Sequence, residues 1–320
     1  MPFGYVAGLQ TDPIEKKPFY HLYPGSDALT FGMLGCDFHC SYCQNWVTSQ
    51  ALRDDAASAP IQPTTVKELA RWGQELDVRL VVSSYNEPLI TAEWAVAVFQ
   101  EAKAAGLECA FVSNGNLTAE ALDFLQPWIT AYKIDLKTFD DGRYRALGGT
   151  LDRVVNGIRM VHDRGLWLEV VTLVVPGFND SEAELRRMAA FLASVDRDIP
   201  WHVTAFHPNY KLTSPMATPA AQLIRAAEIG MEAGLHFVYA GNLPGRTGRW
   251  EDTSCPGCGA CLIRRHGFQV LEYHLTAAGR CPACGLTIPG RWDVEGTSGS
   301  PDTGSGTVAH RSPRPLFRFR

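Results

Sequence analysis

The sequence has no long apolar run. No stretch approaches the ~18 residues that a membrane span needs, and Met1-Pro2-Phe3-Gly4 does not open the basic-then-apolar pattern of a secretory signal. No membrane partner is expected, and the cytoplasm is the expected location. Positive charge is not in excess either. Twenty-nine Lys+Arg against 34 Asp+Glu leave a net charge of −5, so nucleic acid is not an expected partner. Cysteine is absent between Cys43 and Cys109 and between Cys109 and Cys255. The nine cysteines are an odd number in tight groups, which suits metal sites in a reducing compartment better than disulfides.

What is present is an ordinary globular composition, 46 % hydrophobic and 20 % charged over 320 residues. That length fits one α/β domain of about 200–250 residues plus something small. Short apolar, β-branched runs predict strands at 29–34, 80–84, 109–113, 132–136, 168–174, 202–206 and 236–239. Helices between them carry capping-box patterns at Thr65/Glu68 and Ser181/Glu184, a cap at Thr91, and closing glycines at Gly106 and Gly165. The alternation predicts parallel βα units, in a partial (β/α)6-type barrel or an open doubly wound sheet. In either, the active site lies at the C-terminal strand ends. We divide the chain into an N-terminal segment (1–24), a barrel domain (25–245), a short, strand-poor Cys-rich module (246–293) and a disordered Gly/Ser/Thr/Pro-rich tail (294–320).

Two cysteine groups carry the chemistry. Cys36, Cys40 and Cys43 follow the first strand with spacing C-x3-C-x2-C. Three thiolates suit a soft metal. A [4Fe–4S] cluster usually takes four, so three leave one iron open, as catalytic metal sites do. Zinc with His39 as fourth ligand is the alternative. The second group holds two copies of C-P-x-C-G, at Cys255/Cys258 and Cys281/Cys284, a two-knuckle tetrahedral site that suits structural zinc. Cys261 also makes a C-x2-C with Cys258, which leaves an auxiliary iron–sulfur cluster open. Cys109, inside a strand run, is expected to be a core residue.

The segment Cys36-x3-Cys40-x-Tyr42-Cys43 resembles the signature of radical S-adenosylmethionine (SAM) enzymes, including the aromatic residue before the last cysteine. That resemblance implies a [4Fe–4S] cluster on Cys36, Cys40 and Cys43 whose open iron is chelated by SAM. It also implies reductive cleavage of SAM to a 5′-deoxyadenosyl radical that abstracts hydrogen from a protein or small-molecule substrate. Asn86-Glu87-Pro88, after Tyr85, resembles the family's Gly-Gly-Glu-Pro segment, which holds the SAM amino group, with Tyr-Asn in place of the glycines. Ser113-Asn114-Gly115, Asp135-Leu136-Lys137 and Val175–Asp180 resemble strand ends of the pyruvate formate-lyase-activating branch. The resemblance implies cofactor contacts by Tyr42, Asn86, Glu87, Pro88, Ser113, Asn114, Asp135, Lys137 and His207. Over residues 20–293 the sequence is most similar to the radical enzyme of the AmmeMemoRadiSam system. This implies Memo-type and Ammecr-type partners and an electron donor such as flavodoxin or ferredoxin. Two readings of other classes remain: a non-catalytic zinc-binding adaptor on a degenerate barrel, and a zinc hydrolase using His207 and Asp135.

Overall fold

The computed structural model describes residues 3–292; the expected disordered tail, 294–320, lies outside the described residues. Its strands are β1 (Tyr5–Val6), β2 (Gly8–Pro13), β3 (Asp27–Gly32), β4 (Gln62–Pro63), β5 (Leu80–Ser83), β6 (Glu108–Ser113), β7 (Ala131–Asp135), β8 (Trp167–Val174), β9 (Trp201–Ala205) and β10 (Val238–Gly241), with β11 (Thr253–Ser254), β12 (Cys261–His266) and β13 (Gln269–Tyr273) in the C-terminal module. The helices are α1 (Trp46–Ser49), α2 (Val66–Glu75), α3 (Ala92–Ala104), α4 (Ala119–Leu125), α5 (Asp141–Leu147), α6 (Leu151–Asp163), α7 (Glu182–Val195) and α8 (Ala220–Glu232).

Eight strands form one sheet in the order β10-β9-β8-β7-β6-β5-β3-β2. The seven from β3 to β10 are parallel and linked by helical crossovers; β2 runs antiparallel to β3 at one edge. All seven expected strands are present, displaced by no more than two residues. The edges β2 and β10 do not pair, so the barrel is partial. Its outer face buries Phe31, Val81, Phe111, Tyr132 and Ile134 under the helices. Its inner face buries Ala28, Leu80, Val82, Ala110 and Ala131 against Ile14, Phe19, Leu22 and Tyr23, so the segment after β2 plugs the floor.

The helix signals are reproduced with two changes. Thr65 and Glu68 form the full capping box of α2. Ser181 caps α7 by accepting from Glu184 N, but the Glu184 carboxylate is drawn away to Thr138 Oγ1 (2.5 Å), Phe139 N (2.8 Å) and Arg143 Nη1 (2.5 Å). Only half of that box forms. Thr91 makes no side-chain cap, because a 3₁₀ turn beginning at Pro88 already leads into α3.

The C-terminal module is richer in strands than its composition suggests: β11, β12 and β13 form an antiparallel sheet. It packs Leu262, Ile263, Val270 and Ile288 against Tyr20, Phe237 and Tyr239. Buried polar groups weld the joint. Arg265 donates to Tyr20 O and Thr253 Oγ1, both at 2.8 Å. His21 bonds through Nε2 to the Tyr239 hydroxyl (2.6 Å) and through Nδ1 to Pro289 O (2.7 Å). Below them Glu169 accepts from His21 N (2.8 Å), Tyr20 N (2.9 Å), Trp167 Nε1 (2.9 Å) and His202 Nε2 (2.6 Å). The buried Glu169 carboxylate is thereby well supplied with donors, as burial demands.

Candidate active site

The first cysteine group occupies the loop that leaves β3. Gly35 turns the chain with φ 95°, a conformation that glycine adopts without strain. Asp37 then fixes the loop to the next strand ends, accepting from Asn114 Nδ2 (2.6 Å) and Asn116 Nδ2 (2.8 Å). Ser41 O accepts from Lys211 N (3.0 Å) and Leu212 N (2.9 Å), tying the loop to the segment after β9. Arg53 donates to Phe38 O and Cys36 O. The loop is thus held without spending a thiol. The Phe38 amide donates to Cys36 Sγ at 3.3 Å, and Cys43 Sγ lies 3.1 Å from Ser49 Oγ. Such contacts stabilise and tune cluster sulfurs. Among the described residues, only the four C-terminal cysteines bring three or more ligand atoms within 4.8 Å of one another. The Cys36, Cys40 and Cys43 thiols are spread more widely, which suits the corners of a multi-iron cluster rather than one ion. The donor set fits a [4Fe–4S] group.

The neighbouring strand ends gather around this loop. Glu87, after β5, is buried and accepts from Ser113 Oγ (2.7 Å), Asn114 N (2.7 Å) and Leu89 N (3.1 Å). Burial, together with the nearby Asp37 charge, pushes its carboxyl up to about 8, against the pull of those donors. Asn86 accepts from Met33 N at 2.9 Å. Asp135, at the end of β7, pairs with Lys133 and, at 3.1 Å, with Lys137. Against the cost of burial, the two ammonium groups hold Asp135 down to about 2, and Asp135 keeps Lys137 charged. Tyr42 is buried and its ring packs 5.4 Å from Phe178. Asn179 does not cap α7. It accepts from Val175 N (2.7 Å) and donates to Lys137 O (2.7 Å), locking two strand ends together. His207 stands apart, exposed after β9, with Asn242 O at 3.4 Å as its hydrogen-bond partner.

Residues 31–189 match the family model described as the Radical SAM superfamily. An uncharacterised protein of Methanocaldococcus jannaschii is 34 % identical over 288 residues, 89 % of this chain and 84 % of that protein. The chain belongs to the radical SAM superfamily. An isethionate sulfite-lyase activating enzyme of Oleidesulfovibrio alaskensis is 27 % identical over 128 residues, 38 % of this chain and 41 % of that enzyme. Among solved structures, a radical SAM methyltransferase from Sphaerobacter thermophilus shares the fold, with a TM-score of 0.52 at 16 % identity over 75 % of this chain and 71 % of that one. This radical SAM protein is therefore an enzyme, and its family implies an iron–sulfur cluster and SAM.

The second cysteine group is a separate centre on the radical SAM chain. Cys255, Cys258, Cys281 and Cys284 converge, with Cys255–Cys284 and Cys258–Cys281 Sγ pairs at 3.6 Å. Cys261, on β12, is not part of that group. The set is the doubled C-P-x-C-G, not the C-x2-C formed with Cys261, and it can hold one metal ion. Cys109 is wholly buried in β6.

Sequence reasoning missed Asp37 and Asn116. Asp37 lies inside the cysteine motif, where its polarity was the one available signal. No spacing rule links it to asparagines nearly eighty residues later.

Proposed function

We propose that this enzyme binds a [4Fe–4S] cluster through Cys36, Cys40 and Cys43, and SAM among Tyr42, Asn86, Glu87, Pro88, Ser113, Asn114, Asp135, Lys137 and His207. The observation that carries the reading is one arrangement. Three cysteines share a loop that is braced by Asp37 to the end of β6, beside a buried Glu87 that clamps β5 to the same end. Together, cluster and cofactor supply reductive radical chemistry that abstracts hydrogen from substrate. The chain's own residues bind and orient. Glu87 retains lone-pair capacity for one further donor, as a bound ammonium requires. Lys137 presents a charged donor for a carboxylate. Asp135, a third exposed, presents acceptors for hydroxyls.

The C-terminal thiols hold structural zinc in this reading, which would give the small module the folding energy its core lacks. Similarity to the AmmeMemoRadiSam radical enzyme supports Memo-type and Ammecr-type partners, with a flavodoxin or ferredoxin as electron donor. The test is electron paramagnetic resonance of anaerobically reconstituted, dithionite-reduced protein. A [4Fe–4S]⁺ signal that changes on adding SAM is expected. A signal indifferent to SAM, or none, would return the cysteine loop to a structural role and favour the zinc-binding adaptor.

A further inference from the structure

The turn that ends β6 is built around two carboxylates, and the binding of cluster and SAM uses only one of them. Glu87 accepts from the Asn114 backbone amide and the Ser113 hydroxyl, with capacity left for an ammonium. Asp37 is the other. Its Oδ1 accepts from Asn114 Nδ2 at 2.6 Å, and its Oδ2 accepts from Asn116 Nδ2 at 2.8 Å. The Asn114 side chain is held in this orientation because its own oxygen accepts from Asn116 N at 2.9 Å. Asp37 therefore faces two donors, as an ionised carboxylate does. Both donors are neutral amides, so they fix the carboxylate in place without cancelling its charge. The arginine of the same loop, Arg53, directs its donors to the Cys36 and Phe38 carbonyls instead.

The fixed charge stands against one of the three thiols. Asp37 Oδ1 lies 3.7 Å from Cys36 Sγ. In the metal-free chain a thiol can donate across that gap. A metal-bound sulfur is a thiolate with no proton to give, so the contact then places a carboxylate charge directly beside a cluster ligand. The other two thiols have different company. Cys43 Sγ has the neutral Ser49 hydroxyl at 3.1 Å, and the Lys137 ammonium acts on Cys40. Net charge, hydrogen bonds to the sulfurs and exposure together set the potential of an iron–sulfur cluster. An added electron is repelled by a nearby carboxylate. Asp37 is half-buried, where water and salt screen a charge less than at the surface. The loop cannot swing the carboxylate away without breaking both of its bonds.

We propose that Asp37 sets the reduction potential of the cluster held by Cys36, Cys40 and Cys43, keeping it low so that the reduced form is a strong one-electron donor to the SAM sulfonium. Asn114 and Asn116 are the positioning residues that hold the charge at Cys36. The step on which Asp37 acts is the entry of one electron into the oxidised cluster. No bond forms or breaks in that step, and in the test the electron comes from dithionite. The inference rests on the radical SAM reading for the cluster itself.

The test is a mediated reductive titration of the full chain, anaerobically reconstituted and kept free of SAM. Dithionite is the reductant, and methyl viologen carries the electrons and reports the potential. The reduced fraction is read from the [4Fe–4S]⁺ paramagnetic signal. At the potential where half of the wild-type clusters are reduced, Asp37→Asn and Asp37→Ser should raise the ratio of reduced to oxidised cluster about tenfold, which is ~59 mV for a one-electron couple. Asn116→Ala keeps the charge and loses one of its hydrogen bonds. Its ratio should stay level or fall, even as its melting temperature drops. A ratio within about twofold of wild type in both Asp37 variants would overturn the proposal. So would a tenfold rise in Asn116→Ala, roughly the same shift, because the potential would then follow the brace and not the charge. Loss of the cluster from both Asp37 variants would overturn it too, since Asp37 would then serve assembly. Iron content and the wild-type signal are measured first. A wild-type chain without a cluster refutes the radical SAM reading, whereas a wild-type cluster with an unmoved ratio in the variants refutes only the role of Asp37.

Discussion

At the scale of single residues, Glu87 acts as a clamp as well as a cofactor candidate. Its carboxylate satisfies two backbone amides and a hydroxyl, all near or below the surface. Glu87→Ala leaves three donors unpaired and should cost about 2–4 kcal/mol in urea unfolding, with Glu87→Gln recovering part of it. Equal stability of all three proteins would remove the clamp. A second residue-scale prediction concerns Glu15 and His21. Burial pushes Glu15 up to about 7, partly offset by Arg265, so the folded chain holds a proton that the unfolded chain loses above about 4.5. Its contribution to stability therefore grows as pH falls from 7 to 4.5. Burial, against the pull of Glu169, lowers His21 to about 4, so its contribution falls as pH drops from about 6.5 to 4. The two slopes oppose each other over nearly the same window. Glu15→Gln removes one of them. Relative to wild type, it should lose about 2 kcal/mol more at pH 4.8 than at pH 6.8. An equal difference in urea midpoint at both pH values would refute the assignment. The two cysteine groups were legible in the sequence because their spacing sets them apart, and Glu87 was a candidate only through the resemblance of Asn86-Glu87-Pro88 to a family segment. Asp37 and Asn116 were not, because each becomes meaningful only beside the other, across nearly eighty positions.

Among the elements, the parallel strands were legible because they are buried on both faces and read as apolar runs. β2 was not, since Gly8-Leu-Gln-Thr-Asp-Pro13 sends Asp12 and Gln10 toward Tyr85 and so lacks an apolar face. The β2–β3 pairing sets Gly8 opposite Gly32, with the Tyr85 ring against both. Gly32→Ala should therefore cost about 1–3 kcal/mol and lower the melting temperature. Its Cβ would meet a backbone oxygen that has no room to move. An unchanged melting curve would show that the β5 turn is softer than this geometry implies. The half-formed capping box of α7 teaches a related lesson. The S-x-x-E pattern located the helix, but a competing buried site claimed the glutamate.

For the whole molecule, two separate cysteine groups frame the predictions. Three loop cysteines lie at the mouth, and four converging cysteines lie in a module that grips the floor. Cys36→Ala, Cys40→Ala or Cys43→Ala should abolish the iron–sulfur signal while leaving zinc content intact. Full iron retention in all three would reject the cluster assignment. Cys255→Ser should release zinc and, because Arg265 and Pro289 hold Tyr20 and His21, should lower the melting temperature of the barrel too. An unchanged barrel transition would show that the two bodies are energetically separate. The joint has a consequence for how the protein is made. His21 is fastened to Pro289, 268 positions later, and Leu22 bridges to Arg291. Residues 21–22 leave the ribosome well before residues 289–291, so this part of the floor cannot be locked until those later residues have been synthesised. Such long-range closure slows folding and leaves the unfinished lumen exposed to misassociation during translation.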